Sequence, residues 1–121
     1  MDRIIKIDGK DVKFRATART PRLYRGIIGR DMIVDMNSLC KAYDEAEKAR
    51  KNGEEKSLTI DNLQIFEDVA YIMARHADPT MVLTPDEWLD SFKMFSIYEI
   101  LPALLDLWAI NNKTTSSAKK K

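Results

Sequence analysis

Ile60-Asp61-Asn62-Leu63-Gln64-Ile65-Phe66-Glu67-Asp68-Val69-Ala70-Tyr71-Ile72-Met73-Ala74-Arg75-His76-Ala77 is the stretch on which the fold turns. Leu63, Phe66, Ala70, Met73 and Ala77 form one row at helical spacing, and Ile65, Val69, Ile72 and His76 form the row beside it. Asp61, Gln64, Asp68, Tyr71 and Arg75 make the opposite, more polar row. An apolar face that wide predicts a helix over residues 60–77 at the centre of a helical core. Asp78-Pro79 ends it, because proline disfavours helical geometry in the residue before it.

Upstream, a second helix is expected over 31–50, with Met32, Met36, Leu39, Tyr43 and Ala46 in one stripe. Asn37-Ser38 is a candidate kink within it. The polar loop Lys51-Asn52-Gly53-Glu54-Glu55-Lys56 follows, with Gly53 as stop signal. A first helix is expected over 21–29. Thr20 is its cap, Pro21 its first residue and Gly29 its stop, with Leu23, Ile27 and Ile28 facing inward. Residues 3–16 read as a β-hairpin. Ile5 and Ile7 alternate with Lys6, Val12 and Phe14 alternate with Lys13 and Arg15, and Asp8-Gly9 favours a tight turn.

Downstream, Thr84-Pro85-Asp86-Glu87 is a capping box opening a fourth helix over 85–93, with Trp88, Leu89 and Phe92 on its buried face. Ser96-Ile97-Tyr98-Glu99 offers a second box for a fifth helix over 97–110. Pro102 falls inside it and predicts a kink or restart. Residues 113–121 have no periodicity and are expected to be a flexible basic tail. The fold class is therefore mainly α with a small N-terminal β-hairpin (α+β), a compact domain of about five helices spanning 1–112.

The 121 residues suit one domain, and a hydrophobic fraction of 45% supports a core. A single cysteine, Cys40, fits a reducing compartment. Met1-Asp2-Arg3-Ile4 does not open a secretion signal, and the longest apolar region, 97–110, is interrupted by Glu99, Pro102 and Asp106. No membrane association is expected, and cytoplasm is the default compartment. The net charge of +1 hides an asymmetry: residues 1–30 balance at +6, residues 61–84 at −3, residues 85–112 at −4 and residues 113–121 at +4. A basic head on an acidic body implies an electrostatic partner or self-association of opposite patches.

Signals of catalysis are weak. His76 is the only histidine and sits on an apolar row, where a core or capping role is commoner. Nothing near Cys40 marks an activated thiolate. One Cys and one His cannot form a Cys/His zinc site within the chain. The adjacent acids Asp44-Glu45 and Asp86-Glu87 point to different helix faces, so neither pair converges on a substrate. No phosphate-binding glycine motif is present. The expectation is a non-enzymatic protein without cofactor, metal or catalytic residues.

Two surfaces stand out. Arg15, Arg19, Arg22, Arg25 and Arg30 form a basic cluster, readable as a self-association patch or as a track for phosphates. Only Phe14 and Tyr24 accompany it as stacking residues, and the acidic body opposes a nucleic-acid backbone, so nucleic acid is the weaker reading. Trp88, Phe92, Phe95, Tyr98 and Trp108 concentrate aromatics in one stretch. Aromatics at helical spacing are usually core. However, Lys93-Met94-Phe95-Ser96-Ile97-Tyr98 lies between two helices, where not every ring can be buried. Met94, Phe95, Tyr98, Leu101 and Trp108 are therefore the candidate protein-contact residues, while Trp88, Leu89 and Phe92 are expected in the core.

Several pieces recur in order: Ile5-Lys6-Ile7-Asp8-Gly9-Lys10, Tyr24-Arg25, Gly29-Arg30-Asp31, Ala70-Tyr71-Ile72-Met73-Ala74, Asp78-Pro79, Glu87-Trp88-Leu89-Asp90, Phe95-Ser96-Ile97-Tyr98-Glu99-Ile100-Leu101-Pro102, Leu107-Trp108 and Lys113-Thr114-Thr115. With this order and spacing the chain resembles, along nearly its whole length, the tail assembly chaperones of siphophages and prophages of Gram-positive bacteria. The resemblance implies a protein that holds the tape measure protein soluble in the host bacterial cytoplasm. It also implies recruitment of tail tube protein and absence from the mature virion. Many such proteins also exist in a longer form produced by programmed frameshift, and Lys119-Lys120-Lys121 can be encoded by a slippery run of adenines. A homo-oligomer is expected. The alternatives are a small nucleic-acid-binding or regulatory phage protein using the arginine cluster, and a head–tail structural component retained in the virion.

Overall fold

Asp8 (φ 53°) and Gly9 (φ 76°) both occupy the left-handed backbone region, as a two-residue turn between twisted strands requires. They join β1 (Asp2–Ile7) to β2 (Lys10–Arg15), an antiparallel pair with Ile5 opposite Val12 and Arg3 opposite Phe14. Alternation puts Ile5, Ile7, Val12 and Phe14 on one face, and Ile7 and Phe14 are buried. A lone hairpin is marginal in water, so this face needs helices to cover it. The computed structural model describes the backbone of residues 1–55 and 58–119, and side chains over 1–55 and 58–109.

Helix α1 (Thr20–Ile28) begins with Arg19 as cap residue, and no side chain caps it. Thr20, expected as the cap, is instead buried, and its Oγ1 accepts a hydrogen bond from the Thr17 amide at 2.8 Å. The fully buried residues are Thr20 and Tyr24; Leu23 and Ile28 pack half-buried against the core as expected, whereas Ile27 is 40% exposed. The tyrosine can go inside because its hydroxyl finds polar partners there. Gly29 ends the helix at φ 88°, its amide bonding back to the Tyr24 and Arg25 carbonyls.

Helix α2 (Met32–Lys51) starts where the Asp31 carboxylate accepts the Ile33 and Val34 amides. Met32, Met36, Leu39 and Ala46 are buried as the stripe predicts, and the helix runs unbroken through Asn37-Ser38. Helix α3 (Ile60–Ala77) opens with a capping box between Thr59 and Asn62. It touches β2, α1, α2 and the two helices that follow, and residues 69–74 are all buried. Two assignments change. Tyr71, placed on the polar row, is buried, whereas Leu63, placed on the apolar row, lies in the less covered first half of the helix and is exposed.

Helix α4 (Pro85–Asp90) is capped by the expected Thr84/Glu87 box but stops short of residue 93. Ser91 turns back onto the Trp88 carbonyl, and the Lys93 amide is taken by the Asp8 carboxylate at 3.0 Å. Helix α5 (Ile97–Lys119) begins with the Ile100 amide on the Ser96 carbonyl. It continues through Pro102 without a restart. The missing amide there is the one that would have bonded the Tyr98 carbonyl, near the exposed start of the helix where water can replace it. The helix also passes the expected end at Ile110, because extending a formed helix costs far less than starting one and no glycine or proline intervenes. The backbone of the expected basic tail is thus helical through Lys119. Its side chains, and Lys120 and Lys121 entirely, lie outside the described residues, as does the Lys119–Lys121 run. No helix among the described residues is long and apolar enough to cross a membrane.

Candidate functional site

The segment 91–96 between α4 and α5 is fixed from across the fold. Lys10 Nζ donates to the Ser91 carbonyl at 2.7 Å, and the Lys93 amide to Asp8. Both anchors belong to the hairpin, Asp8 to its turn and Lys10 to the start of β2, more than eighty positions away in sequence. Beneath the segment, Trp88 is the hub of an aromatic cluster. Its ring meets Phe92 at 5.2 Å, Phe95 at 5.4 Å, Tyr71 at 6.0 Å and Phe14 at 6.4 Å, all edge-on. Phe95 also packs on Phe66 at 5.2 Å.

This arrangement sorts the candidate contact residues. Met94 is 72% exposed and Tyr98 48% exposed. The Arg50 guanidinium lies 5.0 Å from the Tyr98 ring centre. Between the junction and the hairpin runs a groove of about 250 Å³ lined by Lys6, Ile7, Asp8, Met94, Ser96, Glu99 and Ile100. Phe95 and Trp108 are half-buried against the core. Leu101 is fully buried and is a core residue, not a contact residue. Its position one turn after Ile97 puts it on the inward side of α5, beside Ile100 and Leu104. Of the expected core residues, Trp88 is buried and Leu89 and Phe92 are half-buried. The hairpin residues of the groove had no sequence signal, since only tertiary folding brings them to the junction.

The arginine cluster does not stay together. Arg30 is turned into the fold by Gly29 and holds α1, α2 and α3 in register. It donates to Asp35 at 2.9 Å, to Asp68 at 2.6 Å and to the Tyr24 hydroxyl at 2.9 Å. Tyr24 in turn donates to Asp35 at 2.6 Å. The hydrogen bond to Asp68 holds the Arg30 guanidinium charged well above its usual range, and burial pushes the Tyr24 phenol up. Arg15 makes a two-point pair with Asp2 at 2.8 and 3.1 Å, and this hydrogen bonding holds the Asp2 carboxyl well below its ordinary value. Arg19, Arg22 and Arg25 remain exposed on α1. Phe14 and Tyr24, the only aromatics near the cluster in sequence, are fully buried and offer no stacking face.

His76 is bound into the junction of the hairpin, α1 and α3, with Nε2 at 2.8 Å from the Thr17 hydroxyl. Burial, then the charges of Arg15 and Arg19, lower its pKa, with Asp2 acting in the opposite sense and the N-terminal amine in the same one. A histidine with a lowered pKa binds fewer protons folded than unfolded, so its contribution to stability is present above pH about 6.5 and is lost as pH falls below it. His76→Gln is therefore expected to flatten the decline in stability between about pH 7 and about pH 5. Urea midpoints of both proteins across that range check it; parallel profiles would refute it. Burial, then Asp44, raises the Cys40 thiol pKa, the opposite of an activated nucleophile. Among the described residues no group of three or more His, Cys, Asp and Glu is placed to hold a metal ion. Comparison of the chain with protein-family models, with curated proteins and with solved structures finds no match.

Proposed function

We propose that this protein is a phage tail assembly chaperone that binds the tape measure protein in the bacterial cytoplasm, keeps it soluble and helps recruit tail tube protein. The reading rests on the ordered sequence resemblance, and one structural observation favours it. Met94 stands exposed on a segment that is pinned to the hairpin and backed by packed aromatics, and Tyr98 stands exposed in the first turn of α5 that follows it. Exposed Met and Tyr on a rigid ledge, beside a groove, suit an amphipathic helix that must later be released. The groove is modest, which fits reversible binding better than an obligate interface.

Co-expression with the neighbouring tape measure gene tests this. The wild-type chain is expected to move the tape measure protein into the soluble fraction. Met94→Ser with Tyr98→Ala is expected to abolish most of that effect while changing the chaperone's own stability by no more than about 1 kcal/mol, as exposed sites do. A tape measure protein that stays insoluble with the wild-type chain would overturn the proposal. Within it, self-association and a frameshift-extended form remain part of the expected behaviour. Light scattering tests the first, and the gene's nucleotide sequence after Lys119 tests the second.

A further inference from the structure

Helix α1 carries a second surface, away from the junction and unused by the function proposed above. Arg19, Leu23 and Ile27 follow one another at intervals of four, so they form a row about 12 Å long on one flank of the helix. Across a groove of about 320 Å³ this row faces Arg75, His76 and Pro79, with Arg15 at one end. Leu23 is half-buried and Ile27 is exposed, so the groove has an apolar floor between cationic rims. Arg22 and Arg25 continue the positive ridge into a neighbouring groove bounded by Pro21, Asp31, Met32 and Ile33.

Apart from Arg15, which Asp2 neutralises, the charges here have no internal counter-charge among the described residues. Among the described residues Arg19, Arg22, Arg25 and Arg75 have no ion-pair partner, and Arg15 pairs with Asp2 through Nε and Nη2 only. Every cation of the surface is a guanidinium, although the chain has many lysines elsewhere. Guanidinium is suited to two-point recognition of carboxylates and holds its place on an apolar surface better than an ammonium. Two of these cations, Arg15 and Arg19, lower the pKa of His76 after burial, with Asp2 acting against them.

We propose that the groove between α1 and the C-terminal end of α3 docks an acidic amphipathic helix of another protein, its carboxylates meeting Arg15, Arg19 and Arg75 and its apolar side chains resting on Leu23, Ile27 and Pro79. Charge complementarity selects the partner's sign, and the four-residue row selects a helix, whose own side chains recur at that spacing. A nucleic acid fits the site less well. Phosphates gain nothing from the Leu23–Ile27 floor, and the buried rings of Phe14 and Tyr24 cannot stack on bases.

The test uses the full chain and a fluorescein-labelled helical peptide of about 18 residues, long enough to be helical, with Glu along one face and Leu along the adjacent one. Saturable binding is expected by anisotropy. A peptide with Gln for Glu, and one with the same residues permuted off a single face, should each bind at least about tenfold more weakly. Arg19→Glu with Arg22→Glu should also cost at least about tenfold, and Ile27→Ser several-fold, with far-ultraviolet spectra unchanged because these side chains are exposed. The His76 pKa, followed by NMR, should rise when the acidic peptide binds. Absence of saturable binding, indifference to the charge reversal, or tighter binding of oligothymidylate or duplex DNA would each overturn the proposal. So would a concentration-dependent dimer that the same charge reversal dissolves, which would assign the face to a second copy.

Discussion

Trp88→Ala is expected to cost about 3–5 kcal/mol, the range for removing a large aromatic from a packed core. Trp88 is only 4% exposed, and its ring touches β2, α3 and the junction at once, through Phe14, Tyr71, Phe92 and Phe95. Helix α4 has only six residues, far too few to persist alone, so its position depends on this side chain and on the Thr84/Glu87 cap. Against a total stability of about 5–15 kcal/mol the loss is severe, and the melting temperature should fall by more than about 10 °C. Trp88→Phe, which keeps a ring but leaves a void, should cost less. Urea unfolding followed by far-ultraviolet circular dichroism measures both. A loss below about 1 kcal/mol for Trp88→Ala would contradict the hub role. Because the junction rests on the same cluster, a variant that remains folded should also present Met94 and Tyr98 poorly.

Arg30→Ala should be the next most damaging change, at about 2–3 kcal/mol. The guanidinium satisfies two carboxylates, Asp35 and Asp68, whose side chains are 13% and 15% exposed. Deleting it leaves two neighbouring anions short of water and of a counter-charge. Breaking a fully buried pair costs about 3–5 kcal/mol, but Arg30 is itself more than one-third exposed, so solvent screening reduces the figure. Asp68→Asn in the Arg30→Ala background should recover part of the loss by removing one of the two charges. Arg30→Lys should rescue poorly, because an ammonium cannot bridge Asp35, Asp68 and the Tyr24 hydroxyl from one planar fork. Denaturant midpoints at neutral pH for the set decide this; an Asp68→Asn change that recovers nothing would place the loss in packing instead.

These effects mark where local sequence stops determining the molecule. The hairpin, the Thr84 box, the Gly29 stop and the α2 and α3 stripes follow from spacing and from φ requirements that act within a few residues. They are therefore readable without knowing the fold. The limits of the helices follow less well. The end of α4 is set by a carboxylate on the hairpin turn capturing the Lys93 amide. Its sequence offers no sign of that competition. Pro102 reads as a break only if its lost hydrogen bond falls where water cannot reach.

The candidate surfaces divide along the same line. Composition alone picks out the aromatic stretch and the arginines, because residue type determines what can pack and what stays charged. Which of them face a partner is decided by neighbours remote in sequence. Leu101 goes inward with Ile100 and Leu104, while Met94, on the pinned segment, and Tyr98, in the first turn of α5, are left outside. Arg30, adjacent in sequence to the exposed arginines of α1, is carried to Asp68 by the left-handed turn at Gly29. Arg75 and His76, read as parts of a core helix, join α1 to form a cationic groove. The sequence by itself determined the element types, the central helix and the residue chemistry available, since these depend on interactions within a turn or two. The tertiary structure decided which side chains are buried, paired or offered to a partner, since burial and ion pairing depend on elements that only packing brings together.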